Sequence, residues 1–183
     1  MSLNYCLEKS KVCLLIVDVQ EKLFPVMERT CEVMHAMQKT VKGFSIMKLP
    51  IIVSEQYPQG LGHTVPSLKN ILDNSLVITK TTFSCIADPL FADTLKPYDQ
   101  VVIIGVEAHI CVLQTAKDLL RNGIQVVVLN DAITSRSIYD FSTAIAELRD
   151  AGARISSVET ILFELLGSSK ASEFKQINEL ITS

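Results

Sequence analysis

Absences narrow this chain first. It has no CxxC pair and no HExxH, so a zinc cage or a zinc hydrolase site is not expected, and no metal or other cofactor is read from it. Apolar runs stop at about strand length, far short of the ~20 residues that cross a bilayer. Residues 1–10 carry Glu8 and Lys9 and no apolar h-region, so no secretory leader is read there. Basic residues are scattered and the formal charge is −3, which makes a nucleic acid or a membrane surface a poor candidate for main partner. No GxGxxG follows the first apolar run, where Asp18-Val19-Gln20-Glu21-Lys22 stands instead; this argues against a nucleotide-binding module. There are five cysteines, an odd number without paired spacing, which fits a reducing compartment. The expected location is cytoplasmic, with a mitochondrial or other intracellular place left open. No internal repeat, linker or low-complexity tract breaks the 183 residues, so one domain over 1–183 is expected.

What is present alternates. Short apolar strands are expected at 11–19, 51–53, 76–78, 101–106, 124–129 and 153–155. Between them the apolar period becomes helical. Val33, Met34, Met37, Val41, Phe44 and Met47 mark one helix over 31–48, stopped by Pro50. Asp88 and Pro89 open another over 88–95, and a third covers 112–120. A fourth runs between Ser137 and Gly152, with Ile138, Phe141, Ile145 and Leu148 inward. Ser156-Ser157-Val158-Glu159 has capping-box spacing ahead of a helix over 160–166, and a last surface helix is expected over 170–181. The stretch from Ser54 to Thr64, with Pro58, Gly60 and Gly62, reads as a functional loop. Strand and helix alternating six times imply a parallel sheet with helices on both faces, a three-layer αβα fold. Ligands on such sheets bind outside the carboxyl ends of the strands.

Three residues with chemistry fall on that edge. Cys111 lies where a strand turns into a helix, and none of Ala108, His109 or Ile110 is a preferred N-cap. The free N–H groups of a helix start favour a thiolate or a developing oxyanion. Asp18 interrupts an apolar strand, so its carboxylate leaves water and needs a partner. Lys80 follows Val77-Ile78-Thr79. Together they fit nucleophilic catalysis: Lys80 holds the Asp18 charge and helps acidify the thiol, Asp18 accepts its proton, and Cys111 attacks a carbonyl carbon. With strands ~4.8 Å apart, Lys80 has roughly 14 Å to cover if its strand lies three spacings from that of Cys111, so its loop is expected to curl back.

At these residues the sequence resembles the isochorismatase-like cysteine hydrolases. The resemblance rests on Leu15-Ile16-Val17-Asp18-Val19-Gln20 with Phe24, on Lys80 with Phe83, and on Gly105-Val106-Glu107-Ala108-His109-Ile110-Cys111, in order and with family-like spacing from about residue 12 to 166. It implies a six-stranded parallel sheet in the order 3-2-1-4-5-6 and a catalytic triad of Asp18, Lys80 and Cys111. It also implies a cis peptide between Val106 and Glu107, an oxyanion hole from the Glu107 and Cys111 N–H groups, and a homo-oligomer, dimer or larger. Gln20, Phe24 and Phe83 would line the substrate pocket. Ala108 and His109 would lie there too, in place of the usual Thr and acidic or Asn residue. The Asp-x-His metal motif of nicotinamidases is absent, since Ser54-Glu55-Gln56-Tyr57-Pro58 occupies that region. Gln56-Tyr57-Pro58 and Gly60-Leu61-Gly62 are similar to the isochorismatase-domain branch of the family. The implied function is hydrolysis of a small amide or acyl compound at a C–N bond. The alternative is a non-catalytic binding or scaffold protein that keeps the pocket.

Overall fold

The computed structural model describes residues 6–73 and 75–183. Its six strands are β1 (Val12–Val17), β2 (Ile51–Gln56), β3 (Leu76–Lys80), β4 (Gln100–Gly105), β5 (Gln125–Ile133) and β6 (Arg154–Ser156). They form one all-parallel sheet in the order β3-β2-β1-β4-β5-β6, the expected order. The helices are α1 (Thr30–Ile46), the short turns α2 (Pro58–Leu61) and α3 (Pro66–Lys69), then α4 (Pro89–Leu95), α5 (Leu113–Arg121), α6 (Ile138–Asp150), α7 (Val158–Leu166) and α8 (Phe174–Thr182). Among the described residues no helix is long and apolar enough to cross a membrane.

Two cores sandwich the sheet, because successive strand side chains point to opposite faces. Leu14, Ile16, Val102, Ile104 and Val127 meet Met37, Phe44, Ile161 and Ile177 of α1, α7 and α8. Leu15, Ile103, Val126 and Val128 meet Phe91, Ala116, Leu119 and Leu148 of α4, α5 and α6. Both faces are covered, so β1 is an unbroken apolar run, β4 is one from Val101 on, and every residue of both is buried. Gly105 ends β4 at φ +123°, and a Cβ there would stand 2.1 Å from the Val17 carbonyl oxygen. Only glycine lets the two central strands close up at that point.

Several boundaries differ from the sequence reading. β2 continues through Ser54, Glu55 and Gln56, which had been placed in a loop, and β5 runs on through Asn130 and Asp131 to Ile133. The end of β2 outlasts its apolar run because Ser54 and Glu55 are buried with polar partners, whereas β5 crosses an exposed Asn130 and returns to the core at Ala132 and Ile133. Asp88 caps α4, as its sequence position suggests: its side chain accepts from the Leu90 N–H at 2.9 Å. The capping box at 156–159 does not form. Ser157 makes no side-chain cap bond, and the Val158 N–H instead donates to the Asp131 carboxylate at 3.0 and 3.2 Å. Ile138 points outward, not inward, at the first turn of α6.

Candidate active site

The carboxyl ends of β1, β2 and β3 bring Asp18, Ser54 and Lys80 together. Asp18 is the first residue after β1, fully buried, with a left-handed backbone at φ 52°. Its carboxylate has two fixed partners: Lys80 Nζ donates to Oδ2 at 2.7 Å, and the Ser54 hydroxyl donates to Oδ1 at 2.6 Å. Lys80 is the last residue of β3, paired in register with Gln56. β3 lies two strands from β1, so the extended lysine stem crosses β2 directly and no loop has to curl back. Its ammonium also donates to Gln56 Oε1 at 2.7 Å and to the carbonyls of Thr82 and Phe83 at 3.1 and 3.2 Å. Burial, the largest single influence, pulls the lysine pKa down, but the interactions that oppose it, led by the Asp18 carboxylate, leave it above the ordinary value. With acceptors on all sides, Lys80 serves as a fixed positive charge.

Cys111 approaches from β4. Residues Ala108–Val112 form a wide π turn between β4 and α5, and Cys111 sits in it, buried, with its thiol beside the Asp18 carboxylate. π turns cluster at functional sites in proteins generally. The expectation of an acidified thiol is reversed. Burial and the Asp18 charge raise the pKa of Cys111 well above the ordinary thiol value, and the opposing pull of Lys80 does not offset them. The resting thiol is therefore protonated at neutral pH, with a carboxylate beside it to take the proton.

The Val106–Glu107 peptide is cis, and Glu107 stands as the N-cap of the π turn without a side-chain cap bond. The Glu107 N–H has no acceptor among the described residues. Its carboxylate is buried and accepts from Arg136 Nε at 2.8 Å. Arg136 carries no signature in the sequence that would have marked it.

The expected pocket residues divide. Ala108 is fully buried in the α5-side core, and its N–H donates to the Thr134 carbonyl at 2.9 Å. His109 is half-buried, with Nδ1 3.0 Å from the Ser135 hydroxyl. Phe24 is buried and belongs to the α1-side core. Gln20 is not an open pocket wall: its amide donates to the carbonyls of Gln56 and Gly62 at 3.0 and 2.6 Å and accepts from the Gln56 N–H at 2.7 Å. It braces the 56–62 segment. Phe83 is 56% exposed, and only its carbonyl takes part, through Lys80. In the region of the nicotinamidase metal motif, Glu55 accepts from the Thr64 N–H and hydroxyl at 2.7 and 2.8 Å and sits 3.0 Å from His63 Nδ1. That carboxylate is spent on holding the loop. A depression of about 900 Å³ between Lys42, Leu49, Ile51, Asp73 and Leu180 lies at the other end of the strands and has no buried charge.

A six-stranded parallel sheet in this order between two helical layers, with Asp, Lys and Cys gathered at its carboxyl edge, defines the class as a three-layer αβα protein with a polar site at the strand ends. The chain belongs to the isochorismatase family: residues 12–160 match the isochorismatase domain. It is 36% identical over 167 residues to isochorismatase domain-containing protein 1 of Salmo salar, covering 90% of this chain and 58% of that protein, so it spans a little over half of that relative's length. The MAR1 ribonuclease structure from Caenorhabditis elegans superposes with a TM-score of 0.94 at 38% identity, over 98% of this chain and 93% of that one. The YcaC gene product of Escherichia coli, described as an octameric hydrolase of unknown specificity, shares the fold at TM-score 0.89 and 20% identity, over 98% of this chain and 96% of that one.

Proposed function

We propose that the protein hydrolyses a small amide or related acyl compound through a thioester on Cys111. The observation that carries this reading is the fully buried Asp18–Lys80 pair with the Cys111 thiol against it. A buried charge pair costs more in desolvation than an apolar pair of the same shape, so its presence beside a thiol calls for a chemical reason. In the proposed cycle Asp18 takes the thiol proton as sulfur attacks the carbonyl carbon. The N–H groups of Glu107 and Cys111 receive the oxyanion. As the C–N bond breaks, Asp18 returns the proton to the leaving amine. Water then attacks the thioester carbonyl as Asp18 takes its proton, and when the C–S bond breaks to release the acid, Asp18 passes that proton to the sulfur and restores the thiol. Lys80 holds the Asp18 carboxylate in place between steps.

Purified protein screened against small amides is expected to release amine or ammonia from at least one of them. Cys111→Ala is expected to abolish that release, while its thermal midpoint stays within a few degrees of the parent. Undiminished turnover in Cys111→Ala refutes the thiol mechanism. A non-catalytic binding role is favoured instead if Cys111 alkylates no faster than free cysteine at every pH. The ribonuclease name of the worm neighbour suggests RNA as a second substrate class. The formal charge of −3 weighs against it, and an RNA arm in the same screen decides it.

We further propose that the chain assembles with itself. The octameric bacterial neighbour supports this, as do the exposed side chains of Val26, Leu76, Val77, Leu90 and Tyr139. Light scattering that finds only a 20.2 kDa species contradicts it.

A further inference from the structure

Ser54 has no place in the proposed reaction, yet it binds Asp18 at three points. Its hydroxyl donates to Asp18 Oδ1 at 2.6 Å. The same hydroxyl oxygen accepts from the Asp18 N–H at 3.2 Å, and its carbonyl lies 3.2 Å from that N–H as well. The sheet sets this up, because Val17, the residue before Asp18, pairs in register with Ser54. Lys80 holds the other carboxylate oxygen. One partner on each oxygen fixes the carboxyl plane, which neither could do alone. Ser54 has a single proton to give, and the buried acceptor beside it receives that proton.

A second buried thiol stands behind this contact. Cys85 is fully buried, its N–H donates to Thr115 Oγ1 at 3.0 Å, and its thiol interacts with the hydroxyls of both Ser54 and Thr115. Thr115 is four residues beyond Cys111, one turn along the same helical segment. The contacts therefore run from the segment that carries the nucleophile, through Thr115 and Cys85, to Ser54 and the carboxylate. Burial lifts the Cys85 pKa to about 11, so this thiol stays neutral and adds no second negative charge beside Asp18.

Resting on the nucleophile reading above, we infer that Ser54, backed by Cys85 and Thr115, is the positioning residue that keeps the Asp18 carboxylate ionised and aimed at Cys111. A hydroxyl that donates to the charged form of an acid favours that form. A base held in the right plane also removes its proton faster than one free to turn. A residue that merely filled space beside Asp18 would change neither property.

The test needs no substrate. Iodoacetamide alkylation of Cys111 is followed by peptide mapping across pH 4–9 in the parent, Ser54→Ala, Ser54→Thr and Cys85→Ala. Mapping separates Cys111 from the exposed Cys6 and Cys31. Ser54→Ala is expected to slow Cys111 labelling roughly tenfold, in the range of a lost hydrogen bond to a charged group. Its acid limb is expected to move up by about one pH unit. Ser54→Thr, which keeps the hydroxyl, is expected to return the limb to the parent position, and Cys85→Ala to move it in the same direction as Ser54→Ala but less. The position of the limb decides. If it does not move in Ser54→Ala, or if Ser54→Thr fails to restore it, the positioning role is overturned while the nucleophile reading stands. If Cys111 of the parent does not label while Cys6 and Cys31 do, the nucleophile reading fails and the positioning role falls with it.

Discussion

The two ends of the same strands bury polar groups by different means. At the amino end, Gln100 opens β4 with 2% of its surface exposed. Its amide donates to the Cys6 carbonyl at 3.0 Å and to Gln125 Oε1 at 2.8 Å, and its carbonyl accepts from the Glu8 N–H at 2.7 Å. A neutral side chain thus fastens the incoming segment to β4 and β5 without removing any charge from water. At the carboxyl end the same need for satisfied polar groups is met by Asp18 and Lys80, both fully charged and both out of solvent. Each buried ion forfeits several kcal/mol of hydration, which neutral groups largely avoid. Gln100 shows that this fold can close a strand end with an amide. The ions at the opposite end are therefore kept for something other than closure, and the thiol against Asp18 says what.

The sharpest way to break the contrast is to take one ion from the pair. Lys80→Met leaves Asp18 buried without its cation. It should cost about 3–5 kcal/mol of stability and all turnover. Adding Asp18→Leu should recover much of the stability and none of the activity, because a well-packed apolar pair is no worse than an ion pair in such a place. Chemical denaturation of the two variants measures both effects. A double variant as unstable as the single one would mean that the charges hold the fold together, and the contrast with Gln100 would dissolve. Gln100→Leu should be milder, about 1–3 kcal/mol, since it strands the Glu8 N–H and the Cys6 carbonyl but no charge. Its effect on Cys111 labelling should be nil.

The same contrast explains what could be read before the structure. The central parts of the inner strands are packed by apolar residues, so pattern alone placed β1, β4 and α1 to within a few residues and the sheet order followed from the family resemblance. Toward the carboxyl ends the pattern stops before the strand does. Ser54 and Gln56 look like loop residues because they are polar, yet they lie in β2 and hold Asp18 and Lys80. Cys85 was noted only as one of five cysteines, and nothing local ties it to a hydroxyl 31 positions earlier. Phe83 also holds Lys80 through its backbone carbonyl, a contact that no side-chain pattern carries. Local sequence carries periodicity well; it does not carry which strand end a polar side chain will meet.

A partly solvated charged pair sits between these extremes and gives the smallest expected effect. Arg154, in the edge strand β6, forms a two-pronged contact with the Glu164 carboxylate on α7, which also accepts from the Leu7 N–H at 2.6 Å. Both side chains keep part of their surface in water. The Arg154 guanidinium, foremost, and the Leu7 N–H hold the Glu164 carboxyl below its ordinary pKa, against a smaller opposing push from burial. An acid lowered on folding contributes stability that is present above its unfolded value, near 4.5, and is lost as pH falls through the lowered folded value. Glu164→Gln should therefore cost only about 1 kcal/mol at pH 7, the order of a partly solvated pair. The difference from the parent should shrink toward zero below pH 4. If the deficit of Glu164→Gln persisted unchanged into acid, shape rather than charge would be holding that contact. The pair would then belong with Gln100 and not with Asp18 and Lys80.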